Sequence, residues 1–161
     1  MIKVNIDIRL AIERLCGDID PDLIEAIVMT ESSGRPDAFR YEPNFYAKYV
    51  REGDYPKVQH KELSTSWGLM QVMGLVAWEM GLKKDIALTL CTIEGGLKYG
   101  IRHLKRFMDK YEKAGGDGND AIAAYNAGSA RKKDGKYVNQ QYVDKVTKRF
   151  NELKSEKDNS G

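Results

Sequence analysis

Over most of this chain apolar residues recur at intervals of three and four, whereas the first fifteen residues alternate charged with apolar ones. The clearest run joins Leu90, Ile93, Leu97, Ile101, Leu104, Met108 and Tyr111 on one face, and it predicts a central core helix over residues 89–111. Near the start, Ile8, Leu10, Ala11, Ile12 and Leu15 predict a short amphipathic helix over residues 8–16, ended by Gly17. Asp20-Pro21 then reads as the N-cap and first position of a second helix. In that helix Ile24, Ile27 and Val28 share a face, and Glu31 falls four residues after Ile27, on the same stripe. Ser32-Ser33-Gly34 follows as a stop signal. Ser66 to Met73 reads as the start of another helix, ending near Gly81.

After the break at Gly115-Gly116-Asp117-Gly118, Asn119 or Asp120 would cap a short helix, Ala121-Ile122-Ala123-Ala124-Tyr125-Asn126-Ala127-Gly128. Its small residues imply that something approaches its backbone closely. A polar loop over 129–140 precedes a last helix with Tyr142, Val143, Val146 and Phe150 inward, and residues 152–161 read as a polar, frayed tail. Residues 35–65 look irregular, with one short helix over 44–51. They nonetheless carry Phe39, Tyr41, Phe45, Tyr46, Tyr49 and Tyr55, too many aromatics for a disordered segment. No convincing strand pattern and no repeat is visible. The expected class is mostly α, a single domain over residues 1–161 with its core at about 19–150.

Composition narrows the function classes. A chain of 161 residues, 42% hydrophobic and 31% charged, is long enough for one real core. The net charge of +2 is too small to argue for nucleic acid, and the basic residues are scattered apart from Arg131-Lys132-Lys133. Cys16 and Cys91 form no CxxC and allow one bridge or none. His60 and His103 lie far apart and make no metal signature, so neither a metal nor a cofactor is expected. No segment reaches the roughly 20 apolar residues of a membrane span. The first 15 residues carry no apolar run of signal-peptide length.

Glu31 is the candidate for chemistry. An acid closing an apolar stripe is costly unless partnered, and burial raises its pKa. The plain alternative is a solvated glutamate in a last helical turn. Three pieces in order weigh against that: Glu31-Ser32-Ser33-Gly34, Gly68-Leu69-Met70-Gln71-Val72 and Ala124-Tyr125-Asn126-Ala127-Gly128. Together they resemble the lysozyme-like domain of soluble lytic transglycosylases and the related goose-type lysozymes, over roughly residues 19–146.

The resemblance implies a catalytic domain acting on peptidoglycan strands in the cell wall, whether periplasmic or extracellular. It implies that Glu31 protonates the leaving oxygen of the β-1,4 bond between N-acetylmuramic acid and N-acetylglucosamine, then acts as base. In a transglycosylase the nucleophile is the muramyl 6-hydroxyl, giving a 1,6-anhydro end; in a muramidase it is water. By the same likeness Tyr125 fixes Glu31, Asn126 binds substrate, and Gln71 and Met70 line the sugar subsites. Gly68 serves a tight turn or close packing. Many such enzymes carry a serine about nine residues after the glutamate, where this chain has Arg40, and a shorter link to the Gly-Leu-Met-Gln string. Ser66 or Ser64 is a candidate for the missing polar contact. The aromatic insert between is a candidate extra wall of the glycan cleft, or a satellite core.

Glu42, in Arg40-Tyr41-Glu42-Pro43, is the one nearby acid that could serve as a second carboxylate; otherwise it pairs with Arg40 or Arg51. An inactive glycan-binding module is the reading from another class. A monomer is expected. Without a visible signal peptide or anchor the chain looks phage- or mobile-element-encoded, exported by another route, or a domain cut from a larger protein.

Overall fold

In the computed structural model, which describes residues 2–161, 62% of the chain is helical. Backbone contacts gather it into two compact units. One consists of the residues through Thr30 together with Ile101–Gly161; the other is Glu31–Gly100.

The first unit begins with α1, Ile6–Leu15. Asn5 caps it, its side chain accepting from the Ile8 N–H at 3.0 Å, and Ile8, Ala11 and Ile12 are buried. Helix α2 spans Pro21–Ser32. The side chain of Asp20 accepts from the Asp22 N–H at 2.9 Å, the expected cap ahead of proline. From Asp22 to Met29 every residue of α2 is buried, so the helix is enclosed on all sides and not merely along one stripe.

Helix α8 occupies Gly118–Ala127 and α9 Gln140–Ser160. The loop between them closes into a small hairpin, β4 (Lys132–Lys133) against β5 (Lys136–Tyr137). Helix α9 buries Val143, Val146 and Leu153. It does not fray at residue 152 as expected. Lys154 pairs with Asp20 and Asp22, and Lys157 donates to both oxygens of Asp22 at 2.9 and 3.0 Å. Arg9 completes the enclosure of Asp22 at 2.9 Å. A carboxylate with no solvent exposure requires such partners. Burial alone would raise its pKa, but the hydrogen bonds from Lys157, Lys154 and Arg9 outweigh that and hold it below the usual carboxylate value.

The second unit contains a sheet that the sequence did not announce. Strands β1 (Phe39–Tyr41), β2 (Thr65–Trp67) and β3 (Val72–Met73) pair antiparallel in that order. Between β1 and β2 run α3 (Pro43–Phe45), a π-helical turn over Tyr46–Val50, a 3-10 turn and α4 (His60–Leu63). The helix expected over residues 44–51 is thus present but changes winding at Tyr46. The helix expected from Ser66 is not formed: residues 68–71 are a turn, and α5 covers only Gly74–Glu79.

The long core helix is also divided. Helix α6, Ile86–Leu90, stops at Cys91, and α7, Ile93–Lys113, restarts because the Thr92 hydroxyl accepts from the Gly95 N–H at 2.9 Å. The apolar spacing runs through the break, which is why periodicity alone missed it. Leu97, Ile101 and Leu104 are buried as expected. Cys16 and Cys91 are both free. Among the described residues no helix is long and apolar enough to cross a membrane, and no group of three or more His, Cys, Asp or Glu could hold a metal ion.

Candidate active site

Glu31 is the penultimate residue of α2 and is half-buried. Beyond it the helix cannot continue, because Ser33 and Gly34 adopt positive φ angles of 56° and 77°. Ser32 is buried, and its hydroxyl donates to the Leu69 carbonyl at 2.8 Å. That bond crosses 37 residues of sequence and fastens the turn over residues 68–71 to the end of α2.

The turn is held from within. Gly68 has φ +80°, and a Cβ there would meet the Leu90 carbonyl oxygen at 2.0 Å, so both torsion and space demand glycine. Gln71 also takes a left-handed backbone, φ 49°. Its side-chain amide donates to the carbonyls of Ala38 at 3.1 Å and Gly68 at 3.0 Å, and its Oε1 accepts from the Ser66 hydroxyl at 3.0 Å. The Gly68 N–H donates back to Ala38 at 2.7 Å. The carboxamide expected to face sugar is thus engaged in shaping the turn. Met70 has no accessible surface and packs against α7 at Gly100. Ser66 is buried beneath Gln71, and Ser64 donates to His60 at 2.8 Å. Glu42 pairs with Arg40, Oε1 to Nε at 3.3 Å, while Arg51 pairs with Glu52. Glu31, Glu42, Ser66, Gly68, Met70 and Gln71 all belong to the second unit.

Tyr125 and Asn126 belong to the first unit, on α8. The N-cap of this helix is Asp117, ahead of both Asn119 and Asp120, the expected caps. Its carboxylate accepts from Asn119 N and Asp120 N, while Asp120 reaches back to the Asp117 N–H at 3.1 Å. The Tyr137 hydroxyl donates to Asp120 at 2.7 Å; burial and this carboxylate push the phenol above its usual pKa. Gly128 closes the helix at φ 82°. Tyr125 is buried, and its ring lies 5.3 Å from that of His103 on α7, which in turn packs edge-on to Phe107 at 4.9 Å. Asn126 is exposed and accepts from the Asn139 side chain at 2.9 Å.

His103 is the neighbour that the motif reading passed over. Its Nδ1 is buried without a hydrogen-bond partner; burial, with a smaller contribution from Arg106, lowers its pKa to about 4. The imidazole is therefore neutral beside Tyr125 at ordinary pH. It lies off the apolar stripe of α7, so spacing gave no signal for it. Ser32 was legible only as part of a stop signal.

A comparison against family models matches residues 14–147 to the one described as the transglycosylase SLT domain. No curated protein and no solved structure matches this chain.

Proposed function

The chain belongs to the transglycosylase SLT family, a lysozyme-like group of transglycosylase-type enzymes of peptidoglycan, and on that premise we propose that Glu31 is its single acid–base. The observation that carries the proposal is the Ser32–Leu69 hydrogen bond of 2.8 Å, which sets the 68–71 turn beside the helix end bearing Glu31. A group that must first give and then take one proton has to hold its place through both steps, and a fixed helix terminus supplies that.

In the proposed reaction the Glu31 carboxyl gives its proton to the glycosidic oxygen as the C1–O bond breaks. The oxocarbenium character left on the muramyl ring is stabilised by its own N-acetyl oxygen. The Glu31 carboxylate then takes the proton of the 6-hydroxyl as O6 bonds to C1, and the 1,6-anhydro end forms without water. A nucleophile tethered to the ring has an entropic advantage over a free one. Tyr125 is proposed to orient Glu31, with Asn126 binding substrate. Gly68, Gln71, Ser66 and Met70 are proposed to set the form of the sugar-binding wall, the last two from beneath it. Glu42, with Arg40 already against it, is assigned no catalytic step. The site of action is the cell wall.

Mass spectrometry of digested peptidoglycan tests this. The wild type should release 1,6-anhydromuramyl products, and a folded Glu31→Gln variant should lose about 10³–10⁴-fold of that rate. Activity within about threefold of wild type in the variant sinks the assignment. Reducing-end products abolished in Glu42→Gln would instead establish a muramidase using water.

A further inference from the structure

One edge of the three-stranded sheet carries aromatic rings left open to solvent. Strand β1 is that edge. Phe39 is 69% exposed and Tyr41 39% exposed, values far from those of core aromatics. Strand alternation puts the two on one face, with Arg40 on the other. The register sets Trp67 directly opposite Phe39, and the ring centroids lie 5.8 Å apart at an interplanar angle of 34°. Trp67 is fixed by its indole N–H, which donates to the Glu62 carbonyl at 3.0 Å. At the end of the same face the Lys61 ammonium stands 5.8 Å from the Tyr41 ring centre.

This patch is continuous with the turn of the candidate site. Phe39 follows Ala38, whose carbonyl receives the Gly68 N–H and the Gln71 side chain. Trp67 immediately precedes Gly68. The rings are thus joined through two peptide units and two hydrogen bonds to the turn that Ser32 ties to the end of α2.

We propose that Phe39 and Trp67 form a stacking platform for one pyranose ring of the glycan strand, a subsite added to the Glu31 site by the paired strands β1 and β2. The inference rests on the glycan reading of that site. A pyranose offers a flat C–H face ringed by equatorial polar groups. Aromatic faces, with their negative quadrupole, attract that C–H surface. Tyr41 and Lys61 stand at the border with a hydroxyl and an ammonium for the sugar's polar groups. The size also fits: two aromatic side chains present at most about 150–250 Å² each, well short of the ~800 Å² per partner of a protein interface.

The chain has two tryptophans, Trp67 and Trp78, so a Trp78→Phe background leaves Trp67 as the sole indole reporter. Titration with tri-N-acetylchitotriose should shift Trp67 emission and saturate. Phe39→Ala should weaken the apparent Kd about tenfold, Phe39→Tyr should restore it, and Phe39→Leu should not, since leucine keeps apolar area but no flat face. On peptidoglycan the alanine variant should raise KM with kcat within about twofold, a split that simple destabilisation would not produce. A silent Trp67, an unchanged Kd in Phe39→Ala, or a leucine variant as good as wild type overturns the platform. Cleavage of peptidoglycan by the wild type is scored separately. Cleavage with a silent Trp67 discards the platform alone; a saturable Trp67 response without cleavage keeps the sugar site and discards the catalytic reading.

Discussion

The turn over residues 68–71 and helix α8 present candidate site residues by opposite means. The turn is built from strained backbone, with Gly68 and Gln71 both at positive φ, and is held by side chains that reach back to main-chain carbonyls. Helix α8 is built from relaxed backbone, capped at Asp117 and Gly128, and held by the close packing of Ala121, Ala123 and Ala124. The first has almost no tolerance for an added atom. The second spreads its stability over many small contributions. Damage should therefore be abrupt in the turn and gradual in the helix.

The comparison breaks most visibly at Gly68. Gly68→Ala meets both the strain of a positive φ and a carbonyl oxygen at 2.0 Å, so it should destabilise by about 3 kcal/mol or more in denaturant titrations. A loss below about 1 kcal/mol would show that the turn relaxes where we describe it as rigid.

Next in size is Ser32→Ala, which leaves the buried Leu69 carbonyl without its donor. A cost of about 1–3 kcal/mol is expected, with a larger fractional fall in kcat than in substrate binding. Unchanged turnover would mean that the tie does not position the site.

Helix α8 should respond more mildly. Asp117→Ala removes a cap and should cost about 1 kcal/mol by thermal unfolding. A cost equal to that of Gly68→Ala would erase the contrast between the two regions.

The smallest effect at neutral pH is expected at His103. Its folded pKa, lowered to about 4, lies below the unfolded value, so the unfolded chain binds more protons between the two. Its contribution to stability is therefore complete above about pH 6.5 and is lost as pH falls toward about 4. A His103→Phe variant should match wild type near pH 7 and show a flatter decline in acid. Parallel pH–stability curves for the two proteins would remove His103 from the account.

These contrasts also explain what could be read in advance. Helices α2, α7, α8 and α9 are long or distinctly patterned, and each was visible. Strands of two and three residues cannot display an alternation, so the sheet was not. The string Leu69, Met70, Val72, Met73 is apolar without a period, and by composition alone it reads as helix. What decides against helix is the Leu90 carbonyl pressed on Gly68, a contact 22 residues away in the chain. The end of α9 looked frayed because its anchor is ionic, Lys154 and Lys157 on Asp22, and hydrophobic periodicity does not register ion pairs. The site followed the same rule. Glu31, Gly68 and Gln71 stood in motifs, whereas the Ser32–Leu69 tie and the neighbour His103 depend on contacts between distant segments.

The enclosure of Asp22 has a consequence for how the molecule is made. Its partner Lys157 lies 135 residues further along the chain, whereas Glu31–Gly100 is one uninterrupted stretch. During synthesis the stretch bearing the candidate acid emerges whole and can settle while Asp22 has Arg9 alone and still waits for Lys154 and Lys157. Residues through Thr30 complete their unit only once the ribosome has released the segment that carries Lys154 and Lys157. A nascent chain stalled before Lys154 should therefore remain sensitive to protease around α1 and α2, and become resistant once α9 has cleared the exit tunnel.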